Sequence, residues 1–193
     1  MTATLEEFQA TGFPVGGEPL GVDLADTLVT TTAPATDLLV VEERSAAWWS
    51  LQAGRLPDGA AVPSLEATVH LRAALRAVLD AAQSGAPLPS RAVEALNSAA
   101  AAAPSSLVLA GGPDPTVSTR WHGRRPGDLA LAAAATSVIA LLGGRDADRL
   151  RRCANPACSM LFVAGDARRQ FCTQNICANR VRVARHYRRR HGG

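Results

Sequence analysis

Four cysteines, all lying between positions 153 and 177 of a 193-residue chain, constrain this sequence more than any other feature. They form two pairs, Cys153-x4-Cys158 and Cys172-x4-Cys177, with thirteen residues between the pairs. A segment of about 40 residues around them cannot bury enough apolar surface to hold itself together, so it needs a staple. Thiols at this spacing can present two thiolates from each pair to one tetrahedral ion, and the softness of sulfur selects zinc over magnesium or calcium. Iron–sulfur ligation uses the same donor atoms and stays open on spacing alone, with zinc as the default. Four reduced core cysteines are the bland alternative, and a redox pair is disfavoured because Cys-x-x-Cys is absent.

The residues between the cysteines carry matching local signals. Asn155-Pro156 forms a turn inside the first pair, and Met160-Leu161-Phe162-Val163 reads as a strand running into a tight turn at Gly165-Asp166. Thr173 can cap a helix from about Gln174, which places Cys177 in its first turns. Turn, strand pair and helix start make a treble-clef-like zinc module, in which the metal supplies folding free energy of order ~10 kcal/mol.

Charge follows cysteine. Residues 1–144 carry 8 Arg against 14 Asp and Glu, a net −6, whereas residues 145–193 carry 12 Arg against 3 Asp, a net +9. Lysine is absent, so every basic side chain is a guanidinium, permanently charged and shaped to hold phosphate or carboxylate in a fork. The same skew follows from a GC-rich coding sequence, so the clustering carries the argument rather than the choice of arginine.

The sequence before Gly143-Gly144 reads as mainly helical. Gly21 to Thr30 is of ambiguous type. Thr36 or Asp37 can cap a helix over Leu38 to Leu51 closed by Gly54, and Ser64 can cap one ending at Ser84-Gly85. Pro89-Ser90 starts a helix stopped by Pro104, and Asp128 can cap an apolar core helix over Leu129 to Leu142. Between these two, Leu107-Val108-Leu109 and Thr116 to Thr119 flank a Gly-Gly-Pro-Asp-Pro turn and read as a β-hairpin. The expected class is mainly α with a small β-hairpin (α+β), followed by the treble-clef-like finger, with domains 1–144 and 145–193. No run reaches the roughly 18 apolar residues of a membrane span, the best being Leu129 to Leu142, so no membrane partner is expected. Met1 to Glu7 shows neither a basic start nor an apolar core, and with reduced thiols this predicts a cytoplasmic protein.

The segment Cys172-Thr173-Gln174-Asn175-Ile176-Cys177-Ala178-Asn179-Arg180, followed by Val181 to Arg188, resembles the signature of the CGNR zinc-finger family. Gly17-Glu18-Pro19-Leu20-Gly21-Val22-Asp23-Leu24-Ala25-Asp26-Thr27-Leu28 is similar to the opening of the ABATE domain that accompanies that finger in stress-induced bacterial transcription regulators. The two cover nearly the whole chain. Ala178 stands where the finger family has glycine, and Asp26-Thr27 where the N-terminal motif has Asn-Thr. The resemblance implies Zn²⁺ on Cys153, Cys158, Cys172 and Cys177 and a role in transcription.

On a helix from Gln174 to Arg190, Cys177, Val181, Ala184 and Arg188 share one face while Arg182, Arg185 and Arg189 share the opposite one. With Arg180, Arg168 and Arg169 extending the positive surface, the finger is expected to bind double-stranded DNA, where the bland reading is a solvated basic tail. A lone finger needs a second subunit for useful specificity, so a homodimer on a two-fold site is expected. In the first domain Trp48, Trp49, Arg72, Arg76, Trp121 and His122 are the candidate contacts for a small anionic or aromatic effector, against the plainer reading of core tryptophans and solvated arginines. That domain has no nucleophile–base motif, no HExxH and no phosphate-binding glycine loop, so no enzyme is expected. The expected function is a DNA-binding transcription regulator. The rival is an adaptor whose zinc module docks an acidic protein partner.

Overall fold

Alanine-rich stretches punctuated by serine, proline and glycine become helices whose ends those punctuating residues set. The computed structural model describes residues 10–13, 17–123 and 125–191, the side chains of residues 174, 175, 185, 188, 189 and 191 excepted; Met1 to Glu7, Gly192 and Gly193 fall outside it. In chain order come α1 (Leu20–Ala25), β1 (Leu28–Val29), β2 (Thr36–Asp37), α2 (Glu42–Leu51), α3 (Leu65–Ser84), α4 (Ser90–Ala102), β3 (Ser105–Ala110), β4 (Thr116–Trp121) and α5 (Pro126–Gly143). The finger adds β5 (Leu150–Arg152), β6 (Leu161–Val163) and α6 (Asn179–His191), with a π-helical turn at Gln174–Ala178 leading into α6. Each sheet is an antiparallel pair, β1 with β2, β3 with β4, and β5 with β6.

Both expected ends of α3 form. Ser64 Oγ accepts from Ala67 N at 3.3 Å, and Gly85 ends α3 in the left-handed region at φ +73°, which glycine adopts without a Cβ penalty. Helix α2 departs from expectation. It starts at Glu42 rather than near Leu38, because Asp37 belongs to β2 and its carboxylate caps Leu39 N at 2.8 Å while holding Arg72. The ambiguous Gly21–Thr30 stretch divides into α1 and β1, and α5 begins at Pro126, with Asp128 in its first turn rather than at its cap.

The core lies where α1 crosses α3 and α5, with α4 laid along both. Trp48 and Trp49 are fully buried, edge to face at 4.8 Å between ring centroids, among Leu24, Leu39, Leu75, Leu79 and Val138. Gly21 makes the α1–α5 crossing possible: a Cβ there would stand 2.5 Å from the Ala134 carbonyl oxygen and 2.7 Å from Val138 Cγ2. Its N–H also donates to Ser137 Oγ at 2.8 Å. Gly21→Ala should therefore lower stability by about 1–3 kcal/mol through overpacking, despite alanine's better helix propensity. A chemical-denaturation midpoint at or above wild type would contradict that close approach.

Helix α5, over its 18 residues, is long and apolar enough by length and composition to cross a membrane, longer than the run the sequence suggested. Here it packs against α1, α3 and α4, with Ala130, Ala134, Ala135 and Val138 fully buried. The finger is docked on this body. Period-two alternation in β6 sends Leu161 into the main core and Phe162 into the cysteine cluster, and Leu150 of β5 joins Leu161 in that core.

Candidate metal centre and nucleic-acid interface

The Asn155 turn and the start of the last helix bring all four cysteine sulfurs together. Asn155 Oδ1 accepts from Ala157 N at 3.1 Å and Cys158 N donates to the Asn155 carbonyl at 2.9 Å, which folds the first pair back on itself. Thr173 Oγ1 accepts from Cys177 N at 3.2 Å and starts the π-helical turn that carries Cys177 inward. The four Sγ atoms lie within 4.8 Å of one another, Cys158 to Cys172 at 3.8 Å and Cys172 to Cys177 at 3.5 Å. Four sulfurs at about 2.3 Å from a tetrahedral ion stand about 3.8 Å apart, so this arrangement fits zinc and is far too open for disulfides at about 2.05 Å.

The electrostatics agree. Backbone N–H groups of Cys172 and Asn155 point at the Cys153 sulfur, and that of Met160 at Cys158. The hydrogen bond from the Cys172 thiol lowers Cys158 to about 5, the same bond raises Cys172, and burial raises Cys153. One thiolate forms readily at the expense of its neighbours, so ionising all four needs a cation among them. Ala178, in the family's glycine position, sits in helical backbone, donating its N–H to the Thr173 carbonyl at 3.1 Å. That conformation asks for no glycine.

Arg168, Arg180 and Arg182 are exposed, as the DNA reading requires, and Arg190 joins them. Arg185 and Arg189 belong to α6, but their side chains lie outside the described residues. Arg169 departs from the expectation. Its guanidinium lies over the Phe162 ring at 4.5 Å, donates to the Cys172 carbonyl at 2.6 Å and pairs with Glu18 at 3.0 Å, so it clamps finger to body rather than facing solvent. The anchored face of α6 is also shorter than expected: Cys177 is buried and Val181 half-buried, but Ala184 is exposed, so the helix projects beyond its first turns.

The six candidate effector contacts are not gathered into one site. Trp48 and Trp49 are core. Arg72 and Arg76, expected on a solvated face or around a ligand, are buried: Arg72 grips both oxygens of Asp37 at 2.6 and 2.5 Å, holding that carboxyl below its ordinary range. Trp121 is half-buried against Ala103, Leu129 and Ala132, and exposed His122 binds Ser106 Oγ through Nε2 at 2.8 Å. Trp121 also borders a shallow cleft of about 530 Å³ with Arg55, Asp58 and Arg120, none of which the sequence singled out.

Sequence reasoning missed the seam between body and finger. Asp26 is buried, and its oxygens accept the Leu161 N–H at 3.1 and 3.0 Å, with Arg76 at 3.4 Å. Arg76 donates onward to the Ser159 carbonyl at 3.0 Å and to Asp80 at 3.0 Å, and Asp80 takes Arg152 at 2.7 Å. Glu18 accepts the Val163 N–H at 2.8 Å. Burial raises the Asp26 carboxyl well above the usual carboxylate range, against the pull of the Leu161 N–H and Arg76. The one available signal was Asp26 itself, an acid where the motif has asparagine; its partners lie 50 and 135 residues away.

Residues 18–145 match the family model ABATE, described as "Putative stress-induced transcription regulator", and residues 149–190 match the CGNR zinc finger. No curated protein matches the chain. With the first model spanning most of the chain and the second laid over the converged cysteines, the protein belongs to the ABATE family and carries a CGNR zinc finger after its ABATE domain.

Proposed function

We propose that this protein is a transcription regulator that binds duplex DNA through its finger, with Zn²⁺ held by Cys153, Cys158, Cys172 and Cys177. The observation that carries the reading is a projecting helix whose described arginines, Arg180, Arg182 and Arg190, are exposed, rooted on a four-sulfur site in a segment of net +9. The bound ion would offset two of the four thiolate charges, leaving the segment at about +7, and tie the knuckle turn to the helix start. Four sulfur ligands leave no open position on a tetrahedral ion, so its role in this reading is structural rather than catalytic. Arg168, Arg185 and Arg189 extend the phosphate-binding surface, and the acidic body, at −6, turns the polyanion toward the finger.

The test is affinity against salt for the zinc-loaded chain on duplex DNA. Arg180→Ala with Arg182→Ala should flatten the log–log slope by about 1.8, two phosphate contacts at about 0.9 each. An unchanged slope, or no duplex binding at low salt, would refute the reading. A second reading is docking of an acidic protein partner. It is favoured by an apolar groove of about 790 Å³ between the Asn155–Ala157 turn and Val181, Val183 and Tyr187. Binding to DNA that survives an excess of acidic polypeptide separates the two.

A further inference from the structure

The β3–β4 hairpin is the one element pair among the described strands whose apolar side chains face water. The register sets Leu109 opposite Val117 and Leu107 opposite Thr119, so Leu107, Leu109 and Val117 share a face, and they are 77%, 71% and 65% exposed. Only Val108 and Trp121, of the twelve strand residues, are even half-buried. Two strands open on both faces are marginal in water, and a third strand is the usual remedy. The outer edge of β3, Ser105-Ser106-Leu107-Val108-Leu109-Ala110, also has no charge, proline or bulge to deter pairing.

We infer that β3 is a dimerisation edge whose occupant is the β3 strand of a second copy of this chain, joined antiparallel about a two-fold axis into a four-stranded sheet. Charge favours the second copy over a charged partner. Residues 105–121 carry only Asp114 and Arg120, net zero, whereas body and finger are each strongly charged, so two copies approach here with least repulsion and a polyanion gains nothing. Side-chain pairing selects the register. Directly opposed residues in an antiparallel pair share a face, so a two-fold axis through Val108 sets Leu107 against Leu109 of the partner and Val108 against itself. An axis through Leu107 would instead set Leu109 and Val108 against serines. The inference stands whether or not the finger binds DNA.

The experiment is sedimentation of the zinc-loaded full chain across a concentration series, with zinc content and far-UV circular dichroism confirming that each variant folds. Wild type should dimerise. Leu107→Lys with Leu109→Lys sets like charges side by side across the axis and should raise the dimer Kd more than about tenfold, whereas Val62→Lys, removing an exposed valine elsewhere, should leave it unchanged. A monomeric wild type at about 100 μM, or a dimer indifferent to the paired lysines, overturns the inference. Val108→Cys gives an independent readout. Opposed Cα atoms stand about 4.5–5.5 Å apart, within disulfide reach, so mild oxidation should link the dimer through residue 108, and Ser118→Cys on the outer strand should not link. Linking at residue 118 alone would equally refute the β3 edge.

Discussion

Cys177→Ser is expected to release the metal, unfold the finger and weaken the body along with it. Zinc affinity in such modules is folding free energy, with apparent values of about 10–16 kcal/mol, and a hydroxyl is a poor substitute for a buried thiolate ligand. The effect should spread beyond the finger because Leu150 and Leu161 are part of the main core, and withdrawing two buried leucines removes about 3–6 kcal/mol of burial. Metal content, duplex binding and hydrogen exchange should fail together: stoichiometric zinc lost, protection lost across residues 150–191, and the faces of α1 and α3 beside the finger exchanging faster. A strong chelator should reproduce all three in the wild type. Retention of one zinc per chain by the variant would contradict the four-sulfur assignment, and a body as stable as before would contradict the shared core.

Arg76→Met should be the most destabilising single change outside the metal site. It leaves the Asp26 carboxyl buried without its cation, a defect costing about 3–5 kcal/mol, and withdraws the donor from the Ser159 carbonyl at the foot of the finger. The pH dependence distinguishes this from simple loss of packing. Burial already raises Asp26, so its contribution to stability is fullest below the unfolded carboxylate value near 3.9 and falls as pH rises through the folded value. Removing Arg76 raises that value further. The gap between variant and wild type should therefore be widest at alkaline pH and narrow as pH is lowered below the folded value, where Asp26 is neutral in both. A gap that widens on acidification would show that Asp26 is not the group left stranded. Asp26→Asn on the Arg76→Met background should recover part of the loss, since the amide oxygen can still accept the Leu161 N–H without a charge to bury.

The family position of Asp26 illustrates what could be read in advance. The substitution of acid for amide was visible in the chain, but its meaning was not. An acid at that position is tolerable only because Arg76, one face of α3, and Leu161, the first residue of β6, converge on it. Arg72 and Arg76 looked like a solvated stripe because helical spacing reports which residues share a face, not whether another element covers it. Arg169 sits beside Arg168 in the sequence and extends the basic run, but its neighbours in the chain do not show what it packs against. Its aromatic and carbonyl partners come from β6 and the Cys172 turn, and Glu18 comes from the far end of the chain. Local preference offers Thr36 or Asp37 as a helix cap, and Asp37 does cap a backbone N–H, but Arg72 holds it in a strand and the helix starts at Glu42.

The sequence by itself determined the features that depend on near neighbours. These are the two cysteine pairs and their turn, the Thr173 start of the last helix, the Ser64 and Gly85 ends of α3, the hairpin around the Gly-Gly-Pro-Asp-Pro turn, and the charge reversal near residue 145. Each rests on residues within a few positions of one another, where spacing and backbone preference suffice. The tertiary structure alone decided which charges are used and which remain free. Asp26, Glu18 and Asp80 engage Arg76, Arg169 and Arg152 at the seam, while Arg168, Arg180, Arg182 and Arg190 are among the arginines that stay exposed. The physical reason is desolvation. A buried or half-buried guanidinium must find a carboxylate or carbonyl wherever the fold brings one, and apart from the i,i+4 pair Arg76–Asp80 the seam partners lie 50 to 151 residues away, where no local pattern records the pairing.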